Sequence, residues 1–331
     1  MRRLSVSLAS VSTFASRTFT TIRLSRQFHR VLKAPACRRY GHYYYSHYWT
    51  CTRTPITPSQ TTRAMSTTLP PPPTGVASPI SDPAQSSDPG DKDLVIRQVT
   101  PEIITFSRPF TRGGMAIGGR GTAVKLPNNE IFLYVSTPHT PATAETIARF
   151  GGKVGWLVTP DGEHGIFFEE YVKAYPDAQK IGVKRFKDKL PNVQWTGLFG
   201  EGGENKQYGF EPHITLHNVS THVNDELVAI HHDSGTLIQA DMLFNLPPTE
   251  QYSRAGGLPV LAKLLGGGKT MSPGGFLHEK MVGALAKDKE LLKRELAPIH
   301  AAKWDRIIPC HGEVIETGGR AAWDKIWAKY A

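Results

Sequence analysis

Acidic residues are missing from the first 81 positions of this 331-residue chain, and the first one is Asp82. The same 81 positions hold ten arginines and one lysine, a charge of +11, whereas the rest of the chain holds 28 basic and 29 acidic side chains, a charge of about −1. Because this larger part is nearly neutral, it lacks the basic surface of a nucleic-acid-binding domain. We therefore expect no nucleic-acid partner for it.

Cysteine is also scarce, and long hydrophobic runs are absent. Of the three cysteines, Cys37 and Cys51 lie in the acid-free stretch, which leaves Cys310 alone in the remainder. A single cysteine cannot form an internal disulfide, as is typical of proteins from a reducing compartment. No segment approaches the ~18 consecutive apolar residues of a membrane-spanning helix, so we expect no membrane span.

Residues 1–65 have the composition of a targeting leader. They are rich in arginine, serine and threonine and contain no acid, as is typical of a mitochondrial transit peptide. Arginines recur among apolar residues at positions 17, 23, 26, 30, 38 and 39, a spacing that allows a basic amphipathic helix. Mitochondrial localisation is therefore the first expectation. The alternative is a cytoplasmic protein whose translation starts at Met65, where residues 1–65 would be only a disordered extension.

Residues 66–97 are rich in proline and serine, and such a segment buries too little apolar surface to order itself, which predicts a disordered linker. The body, residues 98–331, then alternates short β-branched or aromatic runs with helical patterns. Helices are predicted over residues 141–150, 167–175, 276–296 and 319–330. Hairpin signals at both ends of the body, with helices outside, predict an α/β fold of the αββα sandwich type.

Histidines and carboxylates follow several of the predicted strands. Side chains at the ends of buried strands can converge on one rim of a sheet, and this combination of ligands suits zinc, iron or manganese. A bound metal can lower the pKa of a water molecule and produce hydroxide near neutral pH. The candidates in chain order are Asp161, Glu163, His164, His222, Asp241 and His311.

The order and spacing of these residues resemble the metallo-β-lactamase superfamily over roughly residues 118–331. That superfamily binds one or two metals through an HxHxDH segment, a histidine, an aspartate and a final histidine. TPDGEH at 159–164 stands in the place of the first segment, and His222, Asp241 and His311 match the later elements. VTPDGEHG, EEYVKAYPDAQ, TLIQADMLFN and PCHGEVI are closest to the DUF4336 family, apart from Asp161 for its asparagine and Gly165 for its second histidine.

The resemblance implies an eroded metal site. Thr159 and Asp161 replace the two leading histidines, so the first half-site retains only His222. The second half-site is fuller and consists of Glu163, which replaces the aspartate, with His164, Asp241 and His311. We therefore expect one divalent metal. Zinc is the first choice, and iron and manganese are the alternatives.

Two functions follow from the resemblance. The first is a metal-dependent hydrolase acting on a small-molecule ester, thioester, lactone, amide or phosphoester, with Glu163 or Asp161 as general base. The second is a non-catalytic protein that keeps the fold for ligand or protein binding, a hypothesis supported by the loss of the two leading histidines. Fold resemblance alone does not choose between them, and the sequence indicates neither the substrate nor the oligomeric state.

The leader makes a testable prediction. A fluorescent protein fused behind residues 1–70 is expected in mitochondria, because an acid-free, arginine-rich segment is what the import machinery accepts. Fluorescence microscopy with a mitochondrial dye measures this, and a fusion in which the arginines of the leader are replaced by glutamine is the matched control. A diffuse signal from the unmodified fusion, or endogenous protein that starts only at Met65, would contradict the prediction.

Overall fold

The computed structural model describes residues 78, 80–260, 262, 270–285 and 288–331. The predicted leader and residues 66–77 of the predicted linker lie outside the described residues. Within the described ranges, no helix combines the length and the apolar character that crossing a membrane requires.

The first sheet has seven strands in the order β1-β2-β5-β6-β7-β8-β9. Strands β1, β2, β5 and β6 pair antiparallel, whereas β6 to β9 run parallel and are connected through helices. The strands are β1 (Val95–Thr100), β2 (Ile103–Arg108), β5 (Gly119–Lys125), β6 (Ile131–Tyr134), β7 (Val154–Val158), β8 (Gln179–Val183) and β9 (Gly197–Phe199). A short hairpin of β3 (Thr111–Arg112) and β4 (Met115–Ala116) separates β2 from β5.

The second sheet has four strands in chain order, β10 (Ile214–Val219), β11 (Glu226–His231), β12 (Thr236–Gln239) and β13 (Arg306–Pro309). The first three pair antiparallel, and β13 joins β12 in parallel after a long connection. The helices with defined bounds in the described residues are α1 (Pro141–Phe150), α2 (Phe168–Ala174), α3 (Phe186–Lys189), α4 (Phe276–Leu285), α5 (Lys289–Ala301) and α6 (Gly319–Trp327).

Three apolar layers show how the elements stack. Alternate residues of a strand point to opposite faces, so Phe132 of β6 packs between the sheets with Leu227 and Ile238 of the second sheet, while its neighbour Leu133 packs outward. Outside the first sheet, Ile147 of α1 joins Leu133 in a second cluster. The outer face of the second sheet packs in the same way against α5 and α6. This arrangement confirms the predicted αββα sandwich.

The helix predicted over residues 276–296 is wrong as a single element. The structure has two helices here, and α5 begins after Asp288. The Asp288 carboxylate accepts hydrogen bonds from the backbone N–H groups of Glu290 and Leu291, which is the usual contact of an aspartate N-cap. Because charged residues continue through this segment of the sequence, Asp288 was not recognised as the N-cap of a second helix.

Residues 80–97, which the sequence assigned to the linker, pack against the body. Ser81 is buried and its hydroxyl donates a hydrogen bond to the Ala142 carbonyl of α1 at 2.8 Å. Leu94 is buried in the cluster that lies under α1, and β1 begins at Val95. The folded body therefore starts before residue 98, because a few buried side chains anchor a segment whose average composition is polar.

Phe132 provides a test of the layered core. Phe132→Ala is expected to lower the free energy of unfolding by about 3–5 kcal/mol, since it leaves a cavity between the two sheets. Urea denaturation monitored by tryptophan fluorescence measures the change. Met115→Ala is the control, because Met115 is 45% exposed and its removal should change stability by no more than about 0.5 kcal/mol. Equal losses in the two variants would contradict the assignment of Phe132 to the core.

Candidate metal centre

Three of the predicted ligands meet at one rim of the sandwich. His164 follows β7 and Asp241 follows β12, whereas His311 follows β13. The Nε2 atoms of His164 and His311 are 3.1 Å apart, and Nε2 of His311 lies 3.2 Å from Oδ1 of Asp241. Each of these two separations suits two ligands of one ion, since ligands ~2.0–2.2 Å from a common centre lie about 3 Å from one another. Among the described residues, two groups of three have donor atoms that all lie within 4.8 Å of one another: His164 with Cys310 and His311, and Asp161 with His164 and Asp241.

The other atoms of these side chains are already hydrogen-bonded. Nδ1 of His311 donates to the Gly118 carbonyl at 2.6 Å, and Nδ1 of His164 lies 2.9 Å from both carboxylate oxygens of Asp161. Both partners are acceptors, so in each neutral imidazole the proton is on Nδ1 and the lone pair is on Nε2. Oδ2 of Asp241 accepts from the Asn224 amide at 2.6 Å. The outer partners thus leave Nε2 of both histidines and Oδ1 of Asp241 free of other hydrogen bonds, as outer partners do for the ligands of bound metals.

The charges around this point shift the pKa values of all three groups. Burial lowers the pKa of His164, but the charges of Asp161, Cys310 and Asp241 together outweigh it and hold that pKa well above its ordinary value. Burial also lowers the pKa of His311, which Cys310 and Asp241 raise above its ordinary value. Burial raises the pKa of Asp241, yet the two imidazoles bring it below its usual range. Without an ion, protonated imidazoles would compensate the buried carboxylates.

Asp161 is fully buried, and both of its carboxylate oxygens lie 2.9 Å from Nδ1 of His164. Its Oδ1 accepts from the backbone N–H groups of Glu163 and His164 at 2.7 and 2.8 Å, besides its contact with the His164 ring. Its oxygens lie within 4.8 Å of donor atoms of His164 and Asp241. These contacts make it a positioning residue of His164, and its role as general base stays a prediction.

Glu163, the second predicted base and a predicted fourth ligand, points elsewhere. Its Oε1 forms ion pairs with Arg185 at 3.0 Å and with Lys189 at 3.1 Å. Within the described part of the chain, it belongs to neither of the two groups of side chains whose donor atoms lie within 4.8 Å of one another. Two cations hold the carboxylate of Glu163 at the mouth of the site.

His222 also lies outside both groups of donor atoms. It is buried, its Nδ1 is 3.8 Å from a carboxylate oxygen of Glu226, and its Nε2 has no hydrogen-bond partner among the described residues. Burial lowers its pKa, although Asp241 and Asp161 act in the opposite direction. The half-site that the sequence identified as eroded is therefore not assembled around His222.

Cys310 is a member of the cluster that sequence reasoning missed. Its Sγ lies within 4.8 Å of donor atoms of both His164 and His311 and 3.0 Å from the Ser136 hydroxyl. Burial raises the pKa of this thiol, but His311 and His164 together with hydrogen bonds lower it to about 6. The available signal was a cysteine directly before the predicted ligand His311.

Glu226 was missed as well. This fully buried carboxylate accepts hydrogen bonds from the backbone N–H groups of Ala240 and Asp241, both at 2.8 Å. Burial, with the nearby charges of Asp161 and Asp241, raises its pKa well above the ordinary value. Glu226 thereby anchors the turn that presents Asp241, and an acid at the start of an apolar strand was its only sequence signal.

The turn that carries Cys310 and His311 is held by two buried side chains. Arg120 donates through Nη1 to the carbonyls of Pro309 and Gly312 at 2.7 and 2.6 Å. Gln251 donates to the Cys310 carbonyl at 2.7 Å and accepts from the Gly312 N–H at 2.9 Å. Gly312 has φ 93°, and a Cβ there would lie 2.1 Å from the Asn245 carbonyl oxygen. The turn therefore needs glycine directly after His311.

A cavity of about 280 Å³ opens beside this cluster, and His164, Cys310 and His311 form part of its lining. Its walls come from the β3–β4 hairpin region and from the loop after His164. Phe110 stacks on the His311 ring with 6.2 Å between ring centroids, and Ile166 is 73% exposed. The candidate metal centre is thus reachable by a small molecule, since ligand sites are typically such partly apolar concavities.

Comparisons with known proteins gave structural matches only. Neither a protein-family model nor a curated protein sequence matches the chain. Among solved structures, it is similar to a metallo-β-lactamase from Pontibacter korlensis at 12% identity, covering 72% of this chain and 98% of that one, with a TM-score of 0.45. The metallo-β-lactamase FIM-1 from Pseudomonas aeruginosa in its mono-zinc form is 13% identical, covering 72% of this chain and 94% of that one, with a TM-score of 0.45. The metallo-β-lactamase from Hirschia baltica is 10% identical, covering 72% of this chain and 97% of that one, with a TM-score of 0.46. Likeness at this level assigns no activity, and the DUF4336 resemblance stays a prediction.

The Cys310 thiol provides a test of the electrostatics. In metal-free protein it is expected to titrate with a midpoint of about 6, well below the ~8.5 of a free cysteine. Absorbance at 240 nm against pH measures thiolate formation in a Cys37→Ser/Cys51→Ser background, and adding Cys310→Ser should remove the transition. A midpoint at 8.5 or higher would contradict the proximity of the two imidazoles.

Proposed function

We propose that the chain is a metal-dependent hydrolase of the metallo-β-lactamase superfamily with one divalent metal held by His164, Asp241 and His311. One observation carries this proposal: two imidazole Nε2 atoms face each other at 3.1 Å beside a carboxylate oxygen while both Nδ1 atoms donate elsewhere. Two unprotonated lone pairs at this distance repel unless a proton or a cation lies between them. A divalent metal fits this set of two nitrogens and one oxygen, and zinc is the first choice.

The metal would supply a Lewis acid and a water of lowered pKa. Asp161 fixes the tautomer of His164, and the Gly118 carbonyl does the same for His311. The cavity admits the substrate, and its aromatic and aliphatic walls exclude water from the reacting group. Esters, thioesters, lactones, amides and phosphoesters are the bonds that such a centre hydrolyses.

Cys310 favours a second candidate, a non-catalytic protein. Its thiol lies within 4.8 Å of the donor atoms of both histidines, and a thiolate is a strong zinc ligand. Coordination by Cys310 in addition to the other three would give four protein ligands, which is the closed shell of a structural zinc site, whereas three ligands leave a position for water. The role of this one side chain therefore separates the two candidates.

Metal content tests the proposal. Purified protein is expected to hold one equivalent of zinc, iron or manganese by elemental analysis, and Asp241→Ala and His311→Ala should each weaken zinc binding by at least about 100-fold, since a directly coordinating group should matter at least as much as an outer-shell partner. His213→Ala is the control, because that histidine pairs with Asp233 away from the cluster. Two tightly bound equivalents would contradict a mononuclear site, and no metal after growth in supplemented media would contradict the metal-dependent function.

Cys310→Ser separates the open site from the closed one. In the hydrolase, this variant should bind zinc within about threefold of the unmodified protein, because Cys310 lies beside three sufficient ligands. In the structural alternative, the loss of a thiolate ligand should weaken binding as strongly as Asp241→Ala does. A competition titration with a chromogenic chelator measures both variants under the same conditions.

A further inference from the structure

The walls of the cavity carry charges that the metal site does not use. Arg108 and Arg112 both line it, one at the end of β2 and one in β3. Arg108 is half-buried, and among the described residues neither guanidinium has an ion pair or a hydrogen bond. By contrast, Arg120 pairs with Glu250, and Arg185 pairs with Glu163. A half-buried guanidinium without an acceptor loses hydration that only an anionic partner restores well.

The single acid on the same lining does not neutralise these arginines. The Glu163 carboxylate is already paired with Arg185 and Lys189. The lining itself therefore carries two arginines and one carboxylate, and that carboxylate is compensated by cations outside the lining. A concave site of one sign raises the local concentration of small anions.

The remaining wall is apolar. Phe110 stacks on His311, and Ile166, which is 73% exposed, also belongs to the cavity lining. A ligand that satisfies both walls has an anionic group toward the arginines and an apolar body between Phe110 and Ile166. The reacting bond of such a ligand would then lie over His164 and His311.

We propose that Arg108 and Arg112 form an anion subsite, so that the substrate is a small apolar acyl compound carrying a carboxylate or phosphate group. This inference rests on the proposed hydrolase function of the same cavity. Arg108 makes the larger contribution because it is half-buried, whereas a contact to the exposed Arg112 is weakened by solvent.

Three matched aromatic probes test the subsite by isothermal calorimetry on the full chain, both metal-free and zinc-loaded. Benzoate and phenyl phosphate are anionic, whereas benzamide is the neutral analogue of benzoate. The metal-free protein is expected to bind at least one anion at least tenfold more tightly than benzamide. Preference for phenyl phosphate or for benzoate identifies which anionic group the arginines accept, and either result supports the subsite.

Arg108→Ala should weaken binding of the preferred anion about tenfold, equivalent to ~1.4 kcal/mol, without changing benzamide binding. Arg108→Lys should retain part of the preference because it keeps the charge. Arg149→Ala is the control, since Arg149 pairs with Glu145 on the surface of α1. Thermal melts of all variants establish that each is folded.

Equal binding of the anions and benzamide, or unchanged anion binding by folded Arg108→Ala, would overturn the subsite. A zinc titration of the same proteins keeps the two proposals separate. If zinc does not bind but Arg108→Ala still weakens anion binding, the hydrolase proposal is contradicted and the anion subsite is supported. If zinc binds to the wild-type protein but neither anion binds more tightly than benzamide, only the anion subsite is contradicted.

Discussion

The approach of two imidazole nitrogens to 3.1 Å, beside the carboxylate of Asp241, is the contact on which the rim of this sandwich depends. It places polar groups where two sheets end, in surroundings that disfavour isolated charge. Each polar group of this set is then held by a further contact. Asp161 and the Gly118 carbonyl fix the rings of His164 and His311, and Glu226 holds the backbone of Asp241.

The cost of burying an isolated charge also explains the contacts of Arg120, which holds the turn that carries His311. Arg120 is 1% exposed, and it bridges Glu250 to the carbonyls of Pro309 and Gly312. Removing one partner of a buried charge is costly, at about 3–5 kcal/mol, because the other is left uncompensated. Arg120 therefore connects the stability of the body to the position of His311, although it belongs to a different sheet.

Much of the fold could be predicted from strand and helix patterns, because both faces of the central strands are apolar and helices cover the outer faces. Convergence of His164, Asp241 and His311 could be expected from their positions after strands, and the structure brings these three together. The direction in which each side chain points could not be predicted. Glu163 and His164 are adjacent, yet only the histidine contacts His311. The glutamate forms ion pairs with Arg185 and Lys189 instead. Both cations lie more than twenty residues further along the chain, so no local pattern announces the pairing.

The surroundings of His222 bear on the number of metals that the proposed centre would hold. His222 Nε2 and the Thr159 hydroxyl are both buried without a hydrogen-bond partner among the described residues, and each such group costs about 1–3 kcal/mol. A second metal would need donors beside His222, but a protonated threonine hydroxyl is a poor ligand and Asp161 is already engaged by His164. Moving Asp161 toward His222 would release the His164 ring and weaken the first site. One carboxylate, Asp161, would thus have to orient His164 and also serve a second ion, which supports the proposal of a single metal.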